Sequence, residues 1–173
     1  AQPNACFRCG PRLYLNAVAT PLAADLPADA EWSPECEIVP RPHRDVATER
    51  ERAAAIIAQT SRLLGEGAIV AVKGLGGFQL ACDATDEAAV LRLRARKHRW
   101  GKALAVMVPS LDAAREYCEV SAEEEALLTA PSAPIVLLRL RGGEAAPLAP
   151  SLAPGLRELG VMLPYTPLHH LLL

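Results

Sequence analysis

Two cysteines near the start of the chain have the spacing of a metal-binding pair. Cys6 and Cys9 are separated by two residues and followed by Gly10-Pro11. Thiolates at this spacing can bind one tetrahedral zinc ion, which needs four ligands, and Cys36 or His43 could supply a further one. A thioredoxin-like redox pair would instead begin a helix after a strand. We predict half of a structural zinc site at Cys6 and Cys9, with a redox or unligated pair as the alternative.

A glycine-rich segment follows a short apolar run in the middle of the chain. In Lys73-Gly74-Leu75-Gly76-Gly77, three glycines lie within four residues, and glycine lets a backbone approach a ligand closely or adopt positive φ. The segment is not a Walker A loop, because no Gly-Lys-Ser/Thr opens a helix here, and it lacks the GxGxxG spacing of dinucleotide-binding proteins. Two hypotheses remain. The segment is either a ligand-binding loop that uses Lys73, Gly74, Gly76 and Gly77, or a tight turn with a solvated lysine.

The densest group of basic residues lies further along the chain. Most such groups are solvated helix surface, and on a helix Arg92 and Arg96 would share a face. Lys97 and Arg99, however, fall where the predicted helix should end. In an extended segment, residues two apart point the same way, so these two could bind one polyphosphate, Arg as a planar fork and Lys as a compact charge. The whole group comprises Arg92, Arg94, Arg96, Lys97, His98, Arg99 and Lys102.

Polar side chains also follow the last predicted strand. Folds of the α/β class often bind ligands just beyond strand ends, and Tyr165, Thr166, His169 and His170 lie at such a position. Adjacent histidines cannot face one metal ion from a helix, so no metal site is expected here. We interpret most of these residues as packing or capping groups.

An alternation of helices and strands must position all of these groups. Apolar residues at helical spacing follow Thr48, and Gly67 is a stop signal for that helix. Ser121 with Glu124 forms a capping box, and Thr166-Pro167 suits the start of a last helix. The alternation indicates an α+β (α/β) fold in which helices flank a sheet. The remaining predictions are strands over 68–72, 78–82, 104–108, 134–140 and 159–163, and helices over 83–96 and 111–118.

Composition divides the chain into three regions and excludes several classes of function. Residues 1–16 carry the cysteine pair, 17–47 form a proline-rich linker, and 48–173 form the regular domain. A net charge of −2 and 4% aromatic residues argue against a broad nucleic-acid surface. No apolar run approaches the roughly 18 residues that cross a bilayer. The scattered cysteines indicate a reducing compartment, so we expect a cytoplasmic protein without membrane contact.

Several of these segments together resemble one known family. Residues 1–11 are similar to the last Cys-x-x-Cys of the zinc fingers in the HypF family of hydrogenase-maturation carbamoyltransferases. The segments 73–78, 82–85, 96–99, 105–107 and 159–170 resemble, in order, the YrdC-like domain of that family. The resemblance covers essentially the whole chain. It implies a YrdC-like twisted mixed sheet with flanking helices over 48–173, truncated at its C-terminal end and preceded by a partial zinc knuckle.

The resemblance also implies a chemistry. Enzymes of the HypF family use carbamoyl phosphate and ATP to carbamoylate the C-terminal cysteine of the partner protein HypE, which leads to the cyanide ligand of [NiFe] hydrogenases. Their YrdC-like domain joins carbamate to AMP and releases pyrophosphate. The resemblance places Lys97 and Arg99 on the ATP phosphates, with Mg²⁺ beside the triphosphate. It places Lys73 and the backbone of residues 74–77 at the carbamate end, and makes Zn²⁺ structural.

The sequence departs from the family pattern at two points. Trp100 and Ala103 stand where the family usually has proline, so the turn after Arg99 lacks two constraints on its backbone. The Ser-x-Asn element that completes the family's nucleotide site normally lies beyond the helix at which this chain stops. We therefore expect a part of a longer enzyme that is inactive by itself.

Three other functions share parts of this pattern. A free-standing YrdC-like threonylcarbamoyl-AMP synthase would have the same fold without the knuckle at Cys6 and Cys9. An RNA-binding module would use the basic face between Arg92 and Arg99, with a steep salt dependence. An antibiotic-type O-carbamoyltransferase would contain the YrdC-like domain and lack the zinc fingers. The cysteine pair and the segment 165–170 favour the HypF family over these alternatives.

Overall fold

The computed structural model describes residues 13, 15, 46–141 and 148–173. By its internal contacts the chain divides into two units, Ala1–Ile56 and Ile57–Leu173. Cys6 and Cys9 lie outside the described residues, and so does the predicted linker up to residue 45. The half zinc site therefore stays a prediction, and every site discussed below belongs to the second unit.

The first helix ends at a glycine that nothing else could replace. Helix α1 spans Val46–Gly65. The helix itself is confirmed, but the predicted start at Thr48 is wrong, because Thr48 lies within the helix. Beyond it Ala68 N donates to Leu63 O at 2.8 Å, a bond typical of helices that end through a left-handed residue. That residue is Gly67, with φ +81°, where a Cβ would lie 2.6 Å from Asp86 Oδ2. Both the backbone conformation and the packing against the cap of the next helix require glycine.

The glycine-rich segment connects the two strands of a hairpin. Strands β1 (Val70–Lys73) and β2 (Phe78–Ala81) pair antiparallel, with Lys73 opposite Phe78. Gly74 N donates to Gly77 O at 2.8 Å and closes the turn. The two predicted strands are confirmed, and so is the tight turn between them.

Helix α2 begins later than the sequence predicts. It spans Glu87–Lys97, whereas the predicted helix starts at residue 83. The Asp83 carboxylate accepts hydrogen bonds from the backbone N–H and the hydroxyl of Thr85, both at 2.7 Å. This Asx turn holds the chain out of the helical conformation. Asp86 then caps the helix by accepting from Ala89 N at 3.1 Å.

The remaining strands form a three-stranded mixed sheet. Strand β3 (Val106–Met107) runs parallel to β5 (Glu158–Met162), and β4 (Val136–Arg139) pairs antiparallel on the other side of β5. All three strands were predicted, but β3 is shorter than the predicted 104–108. Leu104 N instead donates to Leu152 O at 2.9 Å, in a 3₁₀ helix that the sequence does not reveal. That 3₁₀ helix spans Pro150–Leu152.

Three short helices complete the fold, and their caps follow the sequence closely. They are α3 (Leu111–Tyr117), α4 (Ala122–Leu128) and α5 (Pro167–Leu172). The capping box of Ser121 and Glu124 at the start of α4 is confirmed, with both of its hydrogen bonds present. No helix among the described residues is long and apolar enough to cross a membrane.

An aliphatic core joins the helices to the mixed sheet. Its most buried side chains come from α2, α3, α4, β4 and β5, and fully burying each large one contributes about 1.5–3 kcal/mol. The predicted α+β class, a mixed sheet with flanking helices, is confirmed, with the hairpin as a separate two-stranded sheet. These core residues are Val90, Ala114, Cys118, Leu128, Leu138, Leu159 and Val161.

Candidate functional site

The predicted phosphate-binding pair lies at the end of α2, in a turn rather than in an extended segment. Lys97 is the last residue of the helix and is exposed. His98 adopts the left-handed conformation with φ 47°, and Arg99 N donates back to Arg94 O at 3.0 Å. The expectation that Lys97 and Arg99 project from one side of an extended strand is therefore wrong. The helix ends in a left-handed residue, which turns the chain between them.

The turn is held by a buried arginine that the sequence analysis placed on solvated surface. Arg94 is only 3% exposed. Its guanidinium donates to backbone carbonyls in two separate segments, which satisfies a charge that would be costly to bury alone. The acceptors in the turn are Arg99 O at 2.7 Å, Lys102 O at 3.1 Å and Trp100 O at 3.4 Å. The acceptors in the 3₁₀ helix are Leu152 O at 3.0 Å and Ser151 O.

A second side chain of α2 holds the same 3₁₀ helix. The Glu87 carboxylate accepts from Ser151 Oγ at 2.5 Å and from Ser151 N at 3.1 Å. Glu87 and Arg94 are seven residues apart and therefore lie on one face of the helix. Arg94 also follows the fully buried Val90 by four residues, a helical spacing that indicates the core side. This spacing could have identified Arg94 as buried from sequence alone.

The side chain of Arg99 has one buried donor without a partner. Its Nη2 donates to Ala103 O at 2.8 Å and closes the turn from the opposite side. Its Nε is buried and makes no hydrogen bond among the described residues. A buried donor left without an acceptor is costly, and because this atom is closed to solvent it does not itself offer a contact to an incoming anion. The turn offers an anion the half-buried, positively charged guanidinium of Arg99 and the exposed ammonium of Lys97.

The glycine-rich hairpin carries exposed side chains, one basic and others apolar. Lys73 is exposed, and its Nζ lies 5.2 Å from the centre of the Phe78 ring, a cation–π distance. Leu75 at the tip and Phe78 are 81% and 72% exposed. The Gly74 N–H is used inside the turn, so this part of the backbone is not free for a ligand. Gly76 and Gly77 face open space.

The hairpin packs against the residues that follow β5. Tyr165 Oη accepts a hydrogen bond from Gln79 Nε2 at 2.7 Å, and a Cβ on Gly74 would lie 3.3 Å from that oxygen. The Tyr165 and His169 rings meet edge to face, with centroids 4.5 Å apart. Glycine at position 74 therefore allows the close approach of Tyr165. Sequence analysis did not foresee this contact, which joins residues distant in the chain.

His169 is buried beside this contact. It is 5% exposed, and its Nδ1 has no partner among the described residues. Burial lowers the pKa of His169 below its ordinary value, and the neighbouring His170 lowers it further. Thr166 caps α5 by accepting from His169 N at 3.2 Å. The interpretation of Tyr165, Thr166 and His169 as packing and capping groups is confirmed.

The predicted site residues thus fall into two groups, one in the turn after α2 and one at the hairpin. No hydrogen bond or ion pair within the described ranges joins the turn at Lys97 and Arg99 to the hairpin at Lys73. Nor do the described residues contain a cluster of three or more side chains that could hold a metal ion. A cavity of about 270 Å³ lies against the 3₁₀ helix, and its described lining residues, among them Leu148, Leu152 and Leu156, have no charged side chain.

The described cysteines are poor candidates for a nucleophile. Burial raises the pKa of the Cys118 thiol to about 11, with Glu124 adding to the effect. Burial also raises the pKa of Cys82, helped by the nearby Asp83. The thiolate is the reactive form of cysteine, and both side chains are protonated near neutral pH. Acyl transfer to either of these residues is therefore disfavoured.

Comparison with known proteins identifies the fold. The family model of the Sua5/YciO/YrdC proteins, described as "Telomere recombination", matches residues 62–173. The chain belongs to the Sua5/YciO/YrdC family. The match begins within α1 and includes the hairpin, the turn after α2 and the Tyr165 segment, so both groups are parts of this family's domain.

The curated relatives to which the chain is similar include HypF carbamoyltransferases. The chain is 47% identical over all 173 residues to the carbamoyltransferase HypF of Rhodobacter capsulatus, of which it covers 19%. Over 116 residues, 67% of this chain and 14% of the relative, it is 56% identical to the carbamoyltransferase HypF2 of Cupriavidus necator. The resemblance to HypF is confirmed, and the chain spans less than a fifth of the length of these curated relatives.

A solved structure gives the same result for the fold. A full-length HypF in its phosphate- and nucleotide-bound form matches 67% of this chain with a TM-score of 0.64 and 50% sequence identity. The chain covers 15% of that protein. The Sua5/YciO/YrdC domain described above is therefore a component that also occurs inside much longer HypF chains.

Proposed function

We propose that this chain is the nucleotide-binding part of a carbamoyltransferase of the HypF type, in which it forms carbamoyl-adenylate from carbamate and ATP. The observation that carries the proposal is the 47% identity to a HypF carbamoyltransferase over the entire chain. The turn after α2 supports it, because the half-buried Arg99 and the exposed Lys97 place two positive charges where phosphate oxygens could be bound. A related HypF has been solved with phosphate and nucleotide bound.

The proposed reaction brings two anions together. A carbamate oxygen attacks the α-phosphorus of ATP, a new P–O bond forms, and the bond to the β-phosphate oxygen breaks to release pyrophosphate. Cations must offset the repulsion between the carboxylate and the triphosphate, and positioned donors do so best when they are fixed before the substrate arrives. Lys97 and Arg99 meet this need at the phosphates.

At the carbamate end we propose a smaller role for the hairpin than its glycines suggest. The Lys73 ammonium is exposed and available to a carboxylate, and the backbone at Gly76 and Gly77 faces open space. The Gly74 N–H is already bonded to Gly77 O. Lys73 is therefore the main candidate on the hairpin, and Gly74 serves to let Tyr165 approach.

We further propose that the remaining steps follow the HypF scheme. Carbamoyl phosphate supplies the carbamate, and the activated carbamoyl group passes to the C-terminal cysteine of a HypE-type partner. Mg²⁺ enters with ATP, since it is usually held by substrate phosphates and a few carboxylates. Zn²⁺ is structural at Cys6 and Cys9, whose thiolates suit it, and requires two more ligands. The compartment of this chemistry is the cytoplasm.

The test is an ATP–pyrophosphate exchange assay on the full-length protein that carries this chain. We expect exchange that depends on carbamoyl phosphate, and a rise in KM for ATP of about tenfold to a hundredfold in Lys97→Ala, the effect of losing a charged hydrogen bond. Arg96→Ala is the matched control, because Arg96 is an exposed cation on the same helix. It should leave KM for ATP unchanged.

Other outcomes would refute the proposal. Exchange that requires L-threonine and bicarbonate instead of carbamoyl phosphate would make the protein a threonylcarbamoyl-AMP synthase. RNA binding with a steep salt dependence, lost in Lys97→Ala together with no exchange activity, would make the basic turn an RNA site. If Lys97→Ala and Arg96→Ala raised the KM for ATP equally, Lys97 would have no specific role at the phosphates.

A further inference from the structure

The buried guanidinium of Arg94 uses its donors in an unusual way. All of its hydrogen bonds go to backbone carbonyls, three in the turn 99–102 and two in the 3₁₀ helix. No carboxylate within the described residues forms an ion pair with it. Removing this side chain would leave those buried and half-buried carbonyls without their donor, which is costly. Arg94 therefore contributes to stability and also links the turn to the 3₁₀ helix.

The turn has little else to fix its path. Among the described residues, no backbone–backbone hydrogen bond forms from the N–H groups of residues 100–103. Residues 100–103 contain no proline, so no ring constrains the backbone of the turn. Within the described part of the chain, the one side-chain hydrogen bond to the turn besides those of Arg94 is that from Arg99 Nη2 to Ala103 O, and the Ala103 side chain packs against the core.

We propose that Arg94 is a positioning residue for the phosphate site, acting through the backbone of the turn that carries Arg99. The inference rests on the proposed function, because it assumes that Lys97 and Arg99 bind phosphate. The Arg94 guanidinium donates a hydrogen bond to the carbonyl oxygen of Arg99 at 2.7 Å. It thereby fixes the backbone position from which the Arg99 side chain extends. It does not touch the nucleotide.

The second segment bound by Arg94 makes this arrangement rigid. Ser151 is held to α2 by two hydrogen bonds that it donates to the Glu87 carboxylate, and Leu152 O accepts both from Arg94 and from Leu104 N. The 3₁₀ helix is thus fixed on the helix from which Lys97 extends. Arg94 joins the turn to this fixed point, so that Lys97 and Arg99 keep one relative position before ATP binds. A site fixed in advance binds more tightly, because less freedom is lost on binding.

Titration of the full-length protein with MgATP by calorimetry tests the inference. Arg94→Lys keeps the positive charge but cannot reach both segments with a planar fork. We expect it to raise the Kd for MgATP about tenfold and to leave KM for carbamoyl phosphate unchanged. Leu128→Ala is the control for lost stability, since Leu128 is buried in α4, outside the turn. It should lower the melting temperature and leave the Kd unchanged.

A rescue separates positioning from general support of the fold. Introducing the family's residues, Trp100→Pro with Ala103→Pro, constrains the turn covalently and needs no contact with Arg94. In the Arg94→Lys background this double substitution should lower the Kd for MgATP at least threefold. The absence of rescue would overturn the positioning role. So would an Arg94→Lys protein that binds MgATP as tightly as the Leu128→Ala control.

The two proposals fail in different ways. If Lys97→Ala and Arg99→Ala leave the Kd for MgATP unchanged, the phosphate site itself is wrong, and with it the function. If those two variants weaken binding while Arg94→Lys does not, the phosphate site stands and only the inference about Arg94 is wrong.

Discussion

The turn after α2 and the hairpin after β1 both carry basic and small residues, but they are held in place by different means. The turn is fixed by a buried side chain that reaches across to a distant 3₁₀ helix. The hairpin is closed by its own backbone, Gly74 N to Gly77 O, and bears exposed apolar side chains at its tip. The turn is thus organised by tertiary contacts and the hairpin by local ones.

The comparison shows which of the two regions combines a fixed backbone with charged groups that could bind an anion. In the turn, the backbone is held by Arg94 and carries Lys97 and Arg99, two positive charges. In the hairpin the Gly74 N–H is satisfied by Gly77 O, and the exposed Lys73 is the main charged group. The proposed phosphate site is therefore assigned to the turn rather than to the hairpin.

The largest expected effect is a loss of stability when the tertiary contacts of the turn are removed. Arg94→Met removes the donors of five buried or half-buried carbonyl contacts and should lower the free energy of unfolding by about 3–5 kcal/mol. Arg96→Met, at an exposed position of the same helix, should change it by less than about 0.5 kcal/mol. Urea unfolding followed by circular dichroism measures both. Similar losses in the two variants would show that Arg94 is not the link that holds the turn.

The next effect is on how the free energy of unfolding depends on pH, and it arises at His169, which is buried beside the hairpin. The folded state lowers the pKa of His169, so the unfolded chain binds a proton there more readily. The contribution of His169 to the free energy of unfolding is complete above pH 6.5 and is lost as the pH falls below that value. The slope is at most about 1.4 kcal/mol per pH unit for one proton. His169→Gln should reduce this slope between pH 7 and pH 5, measured by urea unfolding, while His170→Gln, at an exposed position, should reduce it less.

A smaller effect should appear at the glycines of the hairpin. Gly74→Ala places a Cβ 3.3 Å from Tyr165 Oη and 3.5 Å from Gly77 O, and we expect a loss of about 1 kcal/mol from this crowding. Gly76→Ala meets no atom within 4 Å and should be neutral within about 0.5 kcal/mol. Thermal unfolding compares the two variants. If Gly76→Ala is the more damaging, Tyr165 does not determine the requirement for glycine at position 74.

The smallest expected effect is a gain in stability beside the turn. His98 is exposed and has φ 47°, a conformation that glycine adopts without strain. His98→Gly should raise the free energy of unfolding by about 0.5 kcal/mol, because relief of this strain slightly exceeds the extra entropy of the unfolded chain. A loss of stability in urea unfolding would mean that the imidazole makes a contact that outweighs the strain.

Features that depend on neighbouring residues could be predicted from the sequence. The capping box at Ser121, the stop at Gly67 and the cap at Thr166 were each foreseen, because each is decided within a few residues. The motif at Lys97 and Arg99 was found, but its geometry was not. One left-handed residue, His98, changes which way the two side chains project, and its conformation follows from how the helix is ended rather than from residue spacing.

Features that depend on distant partners could not be predicted. Arg94 and Ser151 are 57 residues apart, and Gln79 and Tyr165 are 86 apart. Helical spacing from Val90 indicates that Arg94 faces inward, but nothing local shows which carbonyls it meets. The 3₁₀ helix at Pro150–Leu152 was likewise missed, since it is stabilised by Glu87 and Arg94 more than by its own short sequence.

The span between Arg94 and the 3₁₀ helix has a consequence for the order in which the chain acquires its structure. During synthesis α2 and the turn leave the ribosome well before Ser151 and Leu152 do. Until then the guanidinium lacks two of its acceptors and the turn has no fixed point to be joined to. Contacts between residues so distant in sequence form late, because a long loop must close first. The nascent chain should therefore complete its mixed sheet and this turn together, rather than expose a finished turn on an unfinished domain.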